Sequence, residues 1–168
     1  MLDRIALEML RPGLTRAAHG LARFGVQADH VTWVGFAVGL IAAGAIVAQQ
    51  YLAALLLLLL SRLCDGLDGA VARLSAPTDR GAFLDITLDF LFYASIPLAF
   101  ALADPTANAL ATAVLLAAFI GTGTTFLAFA TLAARRGLKS VVYPSKGIYY
   151  LGGLTEATET LACSAAMC

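Results

Sequence analysis

The chain has 168 residues, of which 60% are apolar and 13% charged, and its formal net charge is zero. Soluble domains hold about 45–50% apolar and roughly 25% charged residues, so an ordinary soluble fold, a disulfide scaffold and a disordered tail are excluded. With no surplus of positive charge there is no field to draw nucleic acid.

Leu14, Ala17, Leu21 and Phe24 recur at helical spacing, opposite Arg16, His19 and Arg23. This pattern predicts an amphipathic helix lying on the cytoplasmic leaflet. Pro12-Gly13 should separate it from the earlier stretch at 5–9, and no uninterrupted apolar segment here reads as a removable leader.

A bilayer core takes about 20 apolar residues per helix. The first predicted span covers 31–48 and ends at Gln49-Gln50, with Asp29 placed to cap a helix starting near His30. The second starts at Tyr51, passes through leucines at 55–60, and carries Arg62, Asp65, Asp68 and Arg73 in its last third. A loop at 74–80 containing Pro77 leads to a third span at 82–103, closed by Asp104-Pro105. The fourth covers 107–134, with Gly121 and Gly123 allowing close helix packing. A polar loop at 135–146 precedes a fifth apolar stretch from Gly147 to the end.

Placed with the N-terminus inside, all eleven Lys and Arg fall on the cytoplasmic side or in helix ends facing it. Trp33 and Tyr149-Tyr150 suit the aromatic belts. Glu156 and Glu159 read as structural partners within the bundle, bonding Arg62, or else as lining of the acceptor pocket. The three cysteines, Cys64, Cys163 and Cys168, have no metal-ligand spacing and read as buried thiols.

The chemistry concentrates at two helix ends. Asp65 and Asp68 are i, i+3 on the second span, and Asp85 and Asp89 are i, i+4 on the third, so each pair shares a face. The short loop sets the helices antiparallel with both pairs at one depth. Four like charges there repel unless cations lie between them, and carboxylate oxygens suit Mg²⁺, Mn²⁺ or Ca²⁺. Gly66, Gly69, Ala70, Ala72 and Gly81 leave room for a bulky ligand, while Arg73 and Arg80 can neutralise phosphate oxygens. Together these describe a pyrophosphate site.

Asp65-Gly66-Leu67-Asp68-Gly69-Ala70-Val71-Ala72-Arg73, seven residues, then Gly81 with Asp85 and Asp89 resembles the signature of the CDP-alcohol phosphotransferase family, with eight fixed positions over 25 residues. The resemblance implies transfer of a substituted phosphate, usually phosphatidyl from CDP-diacylglycerol, to an alcohol hydroxyl with release of CMP. It makes Asp65, Asp68 and Asp85 ligands of a divalent metal, Mg²⁺ or Mn²⁺, in two ions. Asp89 becomes the proton acceptor, touching the second metal in some arrangements. Gly69 and Arg73 contact the CDP portion, and Gly81 leaves the donor space. The family's Pro-Asn-x-x-Thr element corresponds to Ala28-Asp29-His30-Val31-Thr32, so Asp29 and Thr32 face the nucleotide, or Thr32 serves the helix start alone. Thr78 or Asp79 in the short loop reaches toward the donor.

The expected fold is therefore an all-α polytopic membrane protein: an interfacial amphipathic helix plus five transmembrane helices, where the family has six. Residues 1–168 form one membrane domain, with a juxtamembrane segment at 1–29 and a bundle at 30–168 lacking the sixth span. By resemblance it is a homodimer in a bacterial-type inner membrane, its site facing the cytoplasm among membrane lipids. Its partners are a CDP-linked donor and a small alcohol; glycerol phosphate, serine, inositol phosphate and another phospholipid headgroup all stay open, since acceptor pockets differ in residues outside the motif. Two other classes stay open: a non-catalytic membrane protein keeping the motif, which the absent sixth span favours, and a cation transporter, whose carboxylates would lie near the bilayer midplane rather than close to the inner surface.

Overall fold

A computed structural model describes residues 2–75, 78–137 and 157–168, all helices and short turns. The order is α1 (Leu2–Arg23), α2 (Ala28–Val47), α3 (Tyr51–Ala72), α4 (Asp79–Ala103), α5 (Pro105–Arg135) and α6 (Ala157–Met167). No strand occurs among the described residues. Helices α2, α4 and α5 are long and apolar enough to cross a membrane. With 22 residues, α3 has the length as well, about 33 Å at 1.5 Å per residue. Its second half carries Arg62, Asp65 and Asp68.

The start of the bundle departs from the expectation in four ways. Helix α1 runs through Pro12 without a break, since a proline removes one backbone donor and this one is exposed. Its packed face is Leu14, Ala18 and Leu21, which meet Ala70, Val71 and Leu67 of α3. Ala17 is exposed and Phe24 lies past the helix end, 88% exposed. Asp29 does not cap α2: the N-cap is Gln27, and Asp29 sits in the first turn. The exposed side of α1 does carry Arg16, His19 and Arg23, with His19 Nδ1 donating to the Thr15 carbonyl at 2.7 Å.

Tight turns follow from helix-end chemistry. After α1, Gly25 (φ 73°) allows Val26 N to bond Leu21 O and Gly25 N to bond Ala22 O. The turn after α2 repeats this with Gln49 in the left-handed position (φ 57°), Gln50 N bonding Ala45 O. Asp104 ends α4 and its carboxylate accepts from Ala107 N at 3.1 Å, starting α5 at Pro105.

The apolar core joins α2, α3 and α4 from Phe92, just beneath the acids, toward the opposite end: Ala42, Ala43, Ile46, Ala54, Leu58, Phe92, Ile96, Ala99 and Phe100. Close approach of α2 depends on two glycines one turn apart. A Cβ on Gly35 would fall 2.8 Å from Cys64 Cβ, and one on Gly39 would fall 2.5 Å from Phe92 Cδ2. Helix α5 leans on α4 through Thr112, whose hydroxyl donates to the Pro97 carbonyl at 3.0 Å, and through Gly123, which faces the Phe90 ring. Among the described residues Gly121 meets no neighbour, and it is Gly123 that takes part in the packing. Cys163 is exposed and Cys64 and Cys168 are half-buried, against the expectation of buried thiols. Lys139, Lys146, Tyr149, Tyr150 and Glu156 lie outside the described residues, as does the side chain of Glu159.

Candidate functional site

Helices α3 and α4 both pack on α2, which brings the end of one to face the start of the other. One carboxylate oxygen each from Asp65, Asp68 and Asp85 falls within 4.8 Å of the other two. Asp68 is buried, and its Oδ2 has no hydrogen-bond partner. A buried carboxylate oxygen without a partner is costly unless a ligand or cation meets it.

Asp89, the fourth acid, lies apart from this trio. Its Oδ1 accepts from Arg62 Nη1 at 2.8 Å, while the same nitrogen is 3.6 Å from Asp65 Oδ2. Arg62 is nearly covered, with its side chain 13% exposed against 34% for Asp89. Its Cζ lies 3.8 Å from the centre of the Phe92 ring and 5.5 Å from that of Tyr93. Beside it, the buried Ser61 hydroxyl donates to the Gly35 carbonyl at 2.8 Å, tying α3 to α2.

A narrow cleft of about 10 Å³ lies between these helices, lined by all four aspartates together with Arg62 and Thr32. Four carboxylates thus line one small cleft, and among its described lining residues Arg62 is the one cation. Hard oxygen donors in that number fit Mg²⁺ or Mn²⁺. Asp65, Asp68 and Asp85 are the residues that could hold such an ion.

The other sequence-predicted residues divide. Thr32 lines the cleft, although its hydroxyl also donates to the Ala28 carbonyl at 3.0 Å, as a helix-start residue does. Asp29, Thr78 and Gly81 gather at the joint of α2 and α4. There Arg80 Nε meets Asp29 Oδ2 at 3.2 Å, Gly81 N donates to Thr78 Oγ1 at 3.0 Å, and a Cβ on Gly81 would fall 3.5 Å from Asp29 Oδ1. Gly69 and Arg73 stay together at the end of α3, with Arg73 Nη1 over the face of Gly69 and its side chain exposed. Neither lines the cleft proper.

Sequence reasoning left Arg62 without its real partners and overlooked Ser61 and Phe92. The spacing held a signal, since Arg62 precedes Asp65 by three residues and so shares its helical face.

This arrangement matches a defined class of membrane transferase. The sequence model of the CDP-alcohol phosphatidyltransferase family covers residues 25–166, and the chain belongs to that family. Inner membrane protein YnjF of Escherichia coli (strain K12) is 53% identical over 161 residues, 96% of this chain and 78% of that protein. The archaetidylinositol phosphate synthase of Pyrococcus horikoshii is 35% identical over 97 residues, 57% of this chain and 51% of its own length. That of Methanothermobacter thermautotrophicus is 39% identical over 92 residues, 54% and 47% respectively. Membership places the chain among the membrane transferases of phospholipid synthesis.

Proposed function

We propose that the chain transfers a phosphatidyl group from CDP-diacylglycerol to the hydroxyl of a small alcohol, releasing CMP, with the help of divalent cations. The observation that carries this reading is the trio Asp65, Asp68 and Asp85, with Asp68 Oδ2 buried and unpartnered. Two ions of Mg²⁺ or Mn²⁺ held there would offset charge on the donor's diphosphate and on departing CMP.

The chain's own residues supply the rest. Asp89 accepts the proton of the incoming hydroxyl; the alcohol oxygen bonds to the β-phosphorus as the bond from that phosphorus to CMP breaks. Arg73, exposed at the end of α3, meets donor phosphate, and Gly69 leaves space for it. Asp29, Thr32, Thr78 and Gly81 frame the nucleotide side at the joint of α2 and α4. A direct displacement fits a cleft whose described lining residues include no Cys or His, and whose buried Ser61 hydroxyl is committed to Gly35.

Residues 1–168 act as one membrane domain with α1 on its surface. The placement of positive residues supports an N-terminus and a site on the cytoplasmic side of a bacterial-type inner membrane. A homodimer is the assembly proposed from the family resemblance. The test is CMP release from CDP-diacylglycerol by the purified chain in vesicles, across a panel of alcohols, with Mg²⁺ and with EDTA. Release that needs both an alcohol and Mg²⁺ supports the reading. No release with any alcohol overturns it.

A further inference from the structure

The four acids of the cleft are not equivalent, and what separates them is an arginine. Arg62 lies on α3 one turn before Asp65, so on its own helix the nearest acid is Asp65. Yet the short contact, 2.8 Å, crosses to Asp89 on α4, and the contact to Asp65 is 3.6 Å. The plane of the guanidinium is set from below by Phe92, at 3.8 Å. Phe92 follows Asp89 by three residues on α4, so the carboxylate and the ring that support Arg62 share one helical face. Ser61 accepts a longer contact from Arg62 Nη2 at 3.5 Å and is itself fixed to the Gly35 carbonyl. Helices α2, α3 and α4 thus all hold this one cation in place. An arginine inside a membrane span is costly to bury and is retained where it has a defined partner.

We propose that Arg62 is a positioning residue that keeps Asp89 out of the cation-binding group formed by Asp65, Asp68 and Asp85. This rests on the roles given to those acids above. Without the arginine, Asp89 stands within the same cleft with nothing opposing its carboxylate. It then swings toward the cations as a further ligand and ceases to face the alcohol. With the arginine, the same acid is anchored at one oxygen and presents the other. Arg62 touches neither donor nor acceptor in this scheme; it acts through Asp89.

The test is a two-by-two set on Mn²⁺ binding, read by electron paramagnetic resonance with purified protein in detergent. Its members are the unsubstituted chain, Asp89→Asn, Arg62→Met and the double variant. With Arg62 present, Asp89→Asn changes Mn²⁺ affinity by no more than about twofold; in the Arg62→Met background it costs about fivefold or more, because there the acid has become a ligand. Arg62→Lys keeps the charge and most of the buried stem, and it gives an intermediate cost. It also runs the same set if the Met variant does not survive extraction. In CMP release, Arg62→Met lowers kcat by about tenfold or more with little change in donor KM, and Arg62→Lys restores part of the loss.

An equal cost of Asp89→Asn in both backgrounds overturns the proposal, even where the unsubstituted chain releases CMP. The unequal cost in a chain that releases no CMP upholds the division of the acids and overturns only the transferase reading. Absence of Mn²⁺ binding by the unsubstituted chain overturns both.

Discussion

Gly39 of α2 lies so close to the ring of Phe92 in α4 that a β-carbon there would sit 2.5 Å from Cδ2, with Ser61 Oγ 3.0 Å away on the other side. The contact is with a fully buried ring rather than the free end of a flexible chain. Gly39→Ala should therefore push α2 off the bundle and cost about 1–3 kcal/mol. Thermal unfolding in detergent, followed through Trp33, reads the loss. Because Phe92 also underlies Arg62, kcat should fall in the same variant. Adding Phe92→Leu should return part of the stability and none of the activity.

Asp89→Asn keeps the size of the side chain and removes its basicity. CMP release should fall by at least about 100-fold, within the range that general-base catalysis supplies. Binding of CDP-diacylglycerol in the presence of Mg²⁺ should stay near that of the unsubstituted chain. A wild-type rate of release from this variant would remove Asp89 from the chemistry.

Asp68→Asn should behave in the opposite way. It alters the buried member of the trio and the oxygen that lacks a protein partner. Mn²⁺ affinity should drop by at least the roughly 10–100-fold typical when a supporting group of a metal site is lost. Donor binding should weaken with it, and the same protein in EDTA should show no further loss. Equilibrium dialysis with Mn²⁺ and a CDP-diacylglycerol titration separate the two effects.

Gln49 holds a left-handed backbone (φ 57°) in a turn where glycine is the usual occupant. Gln49→Gly should raise stability by about 1 kcal/mol, because the strain of a side chain there disappears. The midpoint of thermal unfolding should rise while CMP release is unchanged, the turn being at the far end of the bundle from the acids.

The Arg80–Asp29 pair is mostly in solvent on the arginine side, with 77% of that side chain exposed. Arg80→Gln should cost under about 1 kcal/mol of stability, as exposed pairs do. If Asp29 and Thr78 frame the nucleotide, the same variant should raise the donor KM while kcat holds. A rise in KM that vanishes at high salt would mark the effect as long-range attraction rather than contact.

The convergence of Asp65, Asp68 and Asp85 was readable because helical spacing fixes each pair to a face and a short loop fixes the helices side by side. The family followed from the same spacing. The boundaries of α2 to α5 were readable to within a few residues, since apolar runs are long and Asp104-Pro105 is an unambiguous stop; the start of the fifth span expected at Gly147 lies outside the described residues. The face of α1 was misjudged by one residue, at Ala17 against Ala18, because alanine carries almost no periodic signal in an alanine-rich helix. Pro12 misled for a related reason: a proline interrupts one hydrogen bond, and a surface helix tolerates that. The link between Arg62 and Asp89 could not be read, because it depends on how α3 and α4 each seat on α2. Gly35 and Gly39 of α2 set that seating, one turn apart, and their spacing was the available clue.

The greasy contacts of Ile46, Leu58 and Phe100 gather at one pole of the bundle, and the reactive side chains at the other. In the proposed reaction, substitutions at the polar pole reshape which alcohol is accepted while the opposite pole keeps the helices aligned. On that reading, swapping the polar pole between relatives is a practical route to new headgroups.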